Sequence, residues 1–248
     1  MSEPVTNGEL SGFDRRASRY DELRPVDEGW WEVFDAIVRL GEARGARVVD
    51  IGCGTGRLAD ELRERAVSRV WTVDASVEMV ARAKQLGVNA RVARAEALPF
   101  KTGWFDVAIM RLVAHLVRRP RAFEEAARIL APGGRLVVVS DDPDHAGNVW
   151  FGRYFPSVSR IRQTIFPGQE TLRSEFEAAG FATVAFERLK QSSTIDRERA
   201  LDVIRSKAYS TIEALSADEY ADGLARAEVE QPDTLDVEQH MLLAVAHR

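Results

Sequence analysis

Residues 50–56 read Asp-Ile-Gly-Cys-Gly-Thr-Gly, an acid followed by three glycines with one residue between each pair. Gly52, Gly54 and Gly56 permit a tight turn and let a ligand approach backbone N–H groups at a helix start, where the dipole favours negative charge. The spacing is not the G-x-G-x-x-G of dinucleotide folds, whose third glycine stands three residues after the second. A second acid, Asp74, closes an apolar run about 20 residues past the glycines, where nucleotide-binding βαβ units hold a ribose diol. Its two oxygens can accept from both hydroxyls, which no neutral side chain matches. In isolation Asp74 would read as a solvated strand-end acid; beside the glycine loop the ribose role is preferred. His115 follows another apolar run, placed to take a proton from a hydroxyl or amine; a contact to a ligand's carboxylate end or to a helix start is the other reading. Cys53 has no base near it in sequence and reads as a small loop residue, not a nucleophile.

These residues need a parallel sheet to bring them together. Val48, Val49 and Ile51 make a short buried strand before the glycines, and Leu58, Ala59, Leu62 and Ala66 recur at helical spacing after them. Arg69 to Val73 is a second strand closed by Asp74, and Ser76 caps the next helix. Val88 to Ala93 and Trp104 to Leu112 are the third and fourth strands. Pro120 opens a helix with Ala122, Phe123, Ala126, Ala127 and Leu130 inward, which the Ala-Pro-Gly-Gly of 131–134 stops. Arg135 to Ser140 is a fifth strand. A helix from Glu170 to Ala179, capped by Gly180, precedes a strand from Phe181 to Leu189, and Met241 to Ala246 completes an antiparallel pair at the sheet edge. Trp30 to Ala43 is an amphipathic helix leading into the first strand. Strands alternating with helices define an α/β chain.

The chain of 248 residues suffices for one such domain with insertions, and its 45% hydrophobic content is that of a globular protein. A net charge of −5, from 39 acids against 34 bases, leaves no global field for nucleic acid. No run has the length of a membrane-spanning helix, and the polar N-terminus is no signal peptide. A single cysteine excludes an internal disulfide and suits the cytoplasm.

The D-x-G-x-G-x-G loop resembles the cofactor loop of class I S-adenosylmethionine-dependent methyltransferases of the small-molecule, UbiE/type 11-like kind. Four further stretches are similar to that family, in the same order: F-D-R-R-A-S-R-Y-D from Phe13, A-E-A-L-P-F from Ala95, R-I-L-A-P-G-G-R-L-V-V-V from Arg128, and E-A-A-G-F from Glu177. The likeness covers about residues 13–190 and the last strand. It implies a Rossmann-like class I fold: a seven-stranded, mostly parallel sheet with an antiparallel last strand and helices on both faces. It implies S-adenosylmethionine as cofactor, with S-adenosylhomocysteine as product. The methionine end would lie on Asp50 and the glycine loop, with Tyr20 close by, and the adenine among Ala95, Glu96 and Leu98. Cys53, Ala75, Met79 and Ala97 complete the expected cofactor set. Glu96 has an exposed loop carboxylate as its alternative. Arg111 departs from the small polar residue usual there and pairs with a carboxylate of cofactor or substrate, or with a rim acid. Where family members commonly carry V-L-H-H, this chain has Val113-Ala114-His115-Leu116.

The remainder reads as cover on a single domain: an N-terminal helical cover over 13–43, a lid insertion over 141–168 and a helical insertion over 194–232. The lid holds D-D-P-D-H, whose spacing is poor for a metal, and Trp150, Phe151, Tyr154, Phe155 and Phe166 interleaved with Arg153, Arg160 and Arg162. That mixture also has a nucleic-acid reading. The helical insertion, with Leu201, Ile204, Ala208, Ile212 and Leu215 on one face, closes the substrate site or makes a dimer surface. The expectation is methyl transfer to a small-molecule acceptor by a monomer or homodimer, without metal or membrane. An RNA-modifying methyltransferase and a non-catalytic S-adenosylmethionine-binding protein are the alternatives.

Overall fold

The computed structural model describes residues 20–23, 26–66 and 69–248. Seven strands form one sheet: β1 (Arg47–Ile51), β2 (Arg69–Asp74), β3 (Asn89–Val92), β4 (Phe105–Arg111), β5 (Leu130–Asp141), β6 (Thr183–Asp196) and β7 (Thr234–His247). Their spatial order is β3-β2-β1-β4-β5-β7-β6. The first five run parallel, and β7 is antiparallel to its neighbours, as expected from sequence. The reversal of strand order at β1, with β2 and β3 on one side of it and β4 on the other, opens a crevice at the carboxyl ends of the strands. Phe13 and Ala17 of the expected N-terminal helix lie outside the described residues; Tyr20–Leu23 is a helical turn.

The chain divides into two compact units. Unit 1 comprises residues up to 140 together with 169–187 and 242–248. Its central parallel strands are largely apolar because helices cover them: Val48, Val49, Ile109, Val137 and Val138 are wholly buried. Helix α1 (Glu28–Leu40) starts at Asp27, whose carboxylate accepts the Trp30 N–H at 2.8 Å. Helix α2 (Arg57–Arg65) follows the glycine loop directly, α3 (Val77–Gln85) carries the Ser76 cap, and α4 (Arg119–Ile129) and α6 (Gln169–Ala178) pack on each other. Phe123 meets Phe176 at 4.6 Å between ring centroids.

Unit 2 comprises 141–168 and 188–241. It contains α5 (Val158–Ile165), α7 (Arg197–Arg205), α8 (Ala217–Glu230) and the distal parts of β6 and β7. The Ser216 hydroxyl accepts the Glu219 N–H and caps α8. Phe151, Tyr154, Phe155, Leu201, Ile204 and Ile212 form its core. The Tyr154 hydroxyl donates to Gln231 at 2.9 Å, so a buried polar tip is satisfied.

Two expectations need correction. The fifth strand begins before Arg135: β5 starts at Leu130 and passes a register shift before regular pairing resumes at Arg135 opposite Val107. Strands β6 and β7 are 14 residues each, longer than expected, because their distal halves are polar and mostly exposed and give no apolar signal. The 141–168 segment, read from sequence as a lid insertion, contains the helix α5.

Gly223 lies on α8 where a Cβ would come within 2.1 Å of the Phe155 ring and 2.8 Å of the Tyr154 carbonyl. Gly223→Ala is expected to lower unfolding stability by about 1–3 kcal/mol, since overpacking forces the helix and ring apart. Urea denaturation checks this, and a variant as stable as the parent would mean that the helix relaxes freely.

Candidate functional site

The candidate residues of unit 1 gather at the carboxyl ends of β1, β2 and β4. Asp50, paired in register with Thr72 and Ile109, is 1% exposed. One of its oxygens, Oδ2, is buried with no hydrogen-bond partner among the described residues. Burial pushes its carboxyl up to about 7, against the pull of the Arg111 guanidinium and with the push of the Asp74 charge.

The glycine loop is built on the end of β2. Gly52 and Cys53 both donate their N–H to the Val73 carbonyl, at 2.8 and 3.1 Å, and Gly56 donates to Cys53. The Asp74 carboxylate accepts the Gly54 N–H at 2.8 Å through one oxygen and the Ser76 N–H at 2.9 Å through the other. The loop therefore does not present a row of bare amides, as its composition suggested; these four N–H groups are satisfied by the protein. What it presents is space. All three glycines have positive φ, but a Cβ on Gly52 would strike Val113 at 2.4 Å and one on Gly56 would strike Ala83 at 2.7 Å, whereas one on Gly54 would meet nothing within 4 Å. Gly52 and Gly56 make the turn pack; Gly54 leaves it open.

Around this turn, Arg111 ends β4 with its guanidinium 5.6 Å from the Trp30 ring centroid. The next residue, Leu112, holds a left-handed φ of 55°, a strained conformation for a branched side chain. Tyr20 is half-buried, and its neighbour Asp21 ties the helical turn to the loop. The Thr55 hydroxyl donates to Asp21 at 2.8 Å, and Arg57 pairs with it at 3.2 Å. Sequence reading missed Asp21, Thr55, Trp30 and Ser76 as site-building residues; only the Tyr-Asp pair inside the first family-like stretch carried a signal.

Other candidates stand further into the protein. Ala95 and Leu98 are buried in the core, where the Leu98 N–H donates to Glu125. Glu96 is not an exposed loop carboxylate: it accepts the Arg118 N–H at 2.8 Å and lies 3.4 Å from Arg94. Ala97 is exposed, Ala75 half-buried, and Met79, in the first turn of α3, buried. Cys53 is buried, and burial followed by the Asp50 and Asp74 charges raises its thiol well above the ordinary range, so it stays a neutral thiol. His115 sits in the short 3-10 turn Ala114–Leu116 after β4, half-buried.

In unit 2 the acids of D-D-P-D-H have protein partners. Asp141 holds the buried Arg162 in a two-point ion pair at 2.5 and 2.8 Å. Asp142 accepts from His145 and Arg188, and Asp144 from Arg188. Among the described residues no group of three acids, histidines or cysteines could hold a metal, and no helix is long and apolar enough to cross a membrane.

Comparison with known proteins places this arrangement. Residues 49–138 match the family model described as "Methyltransferase domain". The ubiquinone/menaquinone biosynthesis C-methyltransferase UbiE of Geotalea daltonii is 34% identical over 203 residues, 68% of this chain and 86% of that protein. The demethylmenaquinone methyltransferase of Thermus thermophilus is 34% identical over 202 residues, 68% of this chain and 91% of that one. The solved phosphoethanolamine N-methyltransferase 2 of Haemonchus contortus, in complex with S-adenosylhomocysteine, shares the fold at a TM-score of 0.62, with 20% identity over 95% of this chain and 57% of that one. Fold and loop thus define a class I, Rossmann-like methyltransferase. The chain belongs to the S-adenosylmethionine-dependent methyltransferase family, and S-adenosyl-L-methionine is its cofactor. The residues present fit that molecule, offering a buried carboxylate oxygen without a partner among the described residues and open space beside Gly54.

The raised Asp50 carboxyl has a stability consequence. The penalty is absent below the unfolded-state pKa near 4, grows as pH rises, and is complete above about 7, where it is on the order of 4 kcal/mol. Asp50→Asn is therefore expected to be more stable than the parent at pH 8 by about 1–3 kcal/mol, with the gap closing towards pH 4. Chemical denaturation at the two pH values decides it, and a variant less stable at pH 8 refutes the reading.

Proposed function

We propose that the chain methylates a small-molecule acceptor, with a quinol ring carbon as the first acceptor to assay. Kinship with two proteins named for quinone methylation supports the acceptor class. One structural observation favours a small molecule over RNA. Phe151, Tyr154 and Phe155, which a nucleic-acid surface would need for stacking, are the core of unit 2, and Arg162 is locked on Asp141.

The cofactor, when bound, supplies a methyl group made electrophilic by a positively charged sulfur. The chain's own residues then hold and align. Asp50 and the open turn at Gly54 take the methionine end, with Tyr20 and Arg111 flanking it. Asp74 takes the ribose: two backbone N–H groups use part of its acceptor capacity, and a carboxylate has about four lone-pair sites. Ala95, Glu96 and Leu98 border the adenine. The chain's own contribution would be chiefly alignment of the acceptor with the group the cofactor supplies, and exclusion of water. His115 is the candidate to receive a proton from the acceptor.

Titration calorimetry is expected to show S-adenosylmethionine and S-adenosylhomocysteine binding in preference to NAD; equal or tighter NAD binding would refute the site. Asp74→Ala should weaken cofactor affinity by about 1–3 kcal/mol, roughly 5- to 150-fold. Mass-spectrometric detection of a methylated demethylmenaquinol supports the acceptor class, and no product from any small quinol under conditions of cofactor binding rejects it. His115→Ala with near-parental turnover ends the base role.

A further inference from the structure

Resting on the assignment of the methionine end to Asp50, we infer that Asp50 is a proton-exchanging group that sets specificity. Below neutral pH it holds a proton in the free protein, and capture of a ligand bearing an α-ammonium group drives that proton out. The geometry leads there. Asp50 stands in the middle of the sheet between β2 and β4, 1% exposed, with Oδ2 lacking a partner among the described residues. At Oδ2 a buried anion finds no protein donor among the described residues, so burial favours the protonated form.

The charged and titratable groups facing it do not remove the difficulty. Arg111 on β4 favours the carboxylate, and its guanidinium also lies 5.6 Å from the Trp30 ring centroid. Asp74 on β2 opposes ionisation. The Cys53 thiol in the loop, raised by burial and by both acids, stays neutral. The balance leaves the Asp50 carboxyl at about 7, with burial as the largest cause.

An ammonium group brought beside Oδ2 supplies the missing donor and an opposite charge. The Asp50 O–H bond breaks, its proton passes to the buffer, and the carboxylate oxygen accepts an N–H from the ligand. A ligand with the same adenosine and sulfur but no amino-acid end offers no such exchange. Asp50 therefore separates ligands by a charge at one end, and the separation sharpens as pH rises.

The test uses the full chain with S-adenosylhomocysteine and 5′-methylthioadenosine, which lacks the amino-acid end. Calorimetry in buffers of different ionisation enthalpy should show release of about half a proton at pH 7 for the first and none for the second. Affinity for S-adenosylhomocysteine should rise about eightfold from pH 6 to pH 7.5, a window in which the ligand's ammonium stays largely charged, while that for methylthioadenosine stays flat. In Asp50→Asn both the proton release and the slope should vanish. Binding of both ligands with flat profiles, an equal slope for methylthioadenosine, or a slope retained in Asp50→Asn overturns the inference while leaving the cofactor assignment intact. Failure of both ligands to bind the parent chain overturns the assignment and the inference together.

Discussion

The turn after β1 exists because the end of β2 holds it. One carbonyl, Val73, and one carboxylate, Asp74, receive the N–H groups of Gly52, Cys53, Gly54 and Ser76. A glycine-rich loop is entropically expensive to order, and satisfied backbone donors are what offset that expense. The same carboxylate meets the strand before α3, so the start of a helix and the shape of the loop are fixed by one side chain. Its position at the strand's end is thus structural before any ligand arrives, and the ribose role proposed for it would use an acceptor already oriented.

Beside this well-satisfied turn lies a group that is poorly satisfied. Asp50 has burial without a full set of partners, a combination that proteins retain chiefly where chemistry or binding requires it. The adjoining Leu112, with its left-handed φ, adds a second local departure from relaxed geometry at the end of β4. Strain and unmet polarity on neighbouring strand ends, within an otherwise regular sheet, mark where stability is given up for function.

Much of this was legible in the residues. The parallel strands announced themselves as apolar runs, and the three glycines after β1 fixed the crevice. Asp74 could be placed because strand-end acids have one geometry in βαβ units. The loop's hydrogen bonds were not legible: composition shows which N–H groups exist, not that a neighbouring strand consumes them. Likewise the arginine-aromatic mixture of 141–168 was ambiguous by type alone, and only packing shows Phe155 inside and Arg162 paired with Asp141. The distal β6 and β7 escaped because exposed antiparallel ribbons need no apolar face, drawing their order from backbone pairing. Asp21 escaped because a short acid one residue from a tyrosine has no periodic signature, although it anchors Thr55 and Arg57.

The order of strands carries a consequence for biogenesis. In the chain β6 precedes β7, yet in the sheet β7 lies between β5 and β6. A nascent polypeptide leaving the ribosome therefore exposes β6 with no neighbour to pair with until β7 has been synthesised and inserted. During that interval its main-chain groups are open to other strands, the situation in which a chaperone's transient grip suppresses intermolecular pairing.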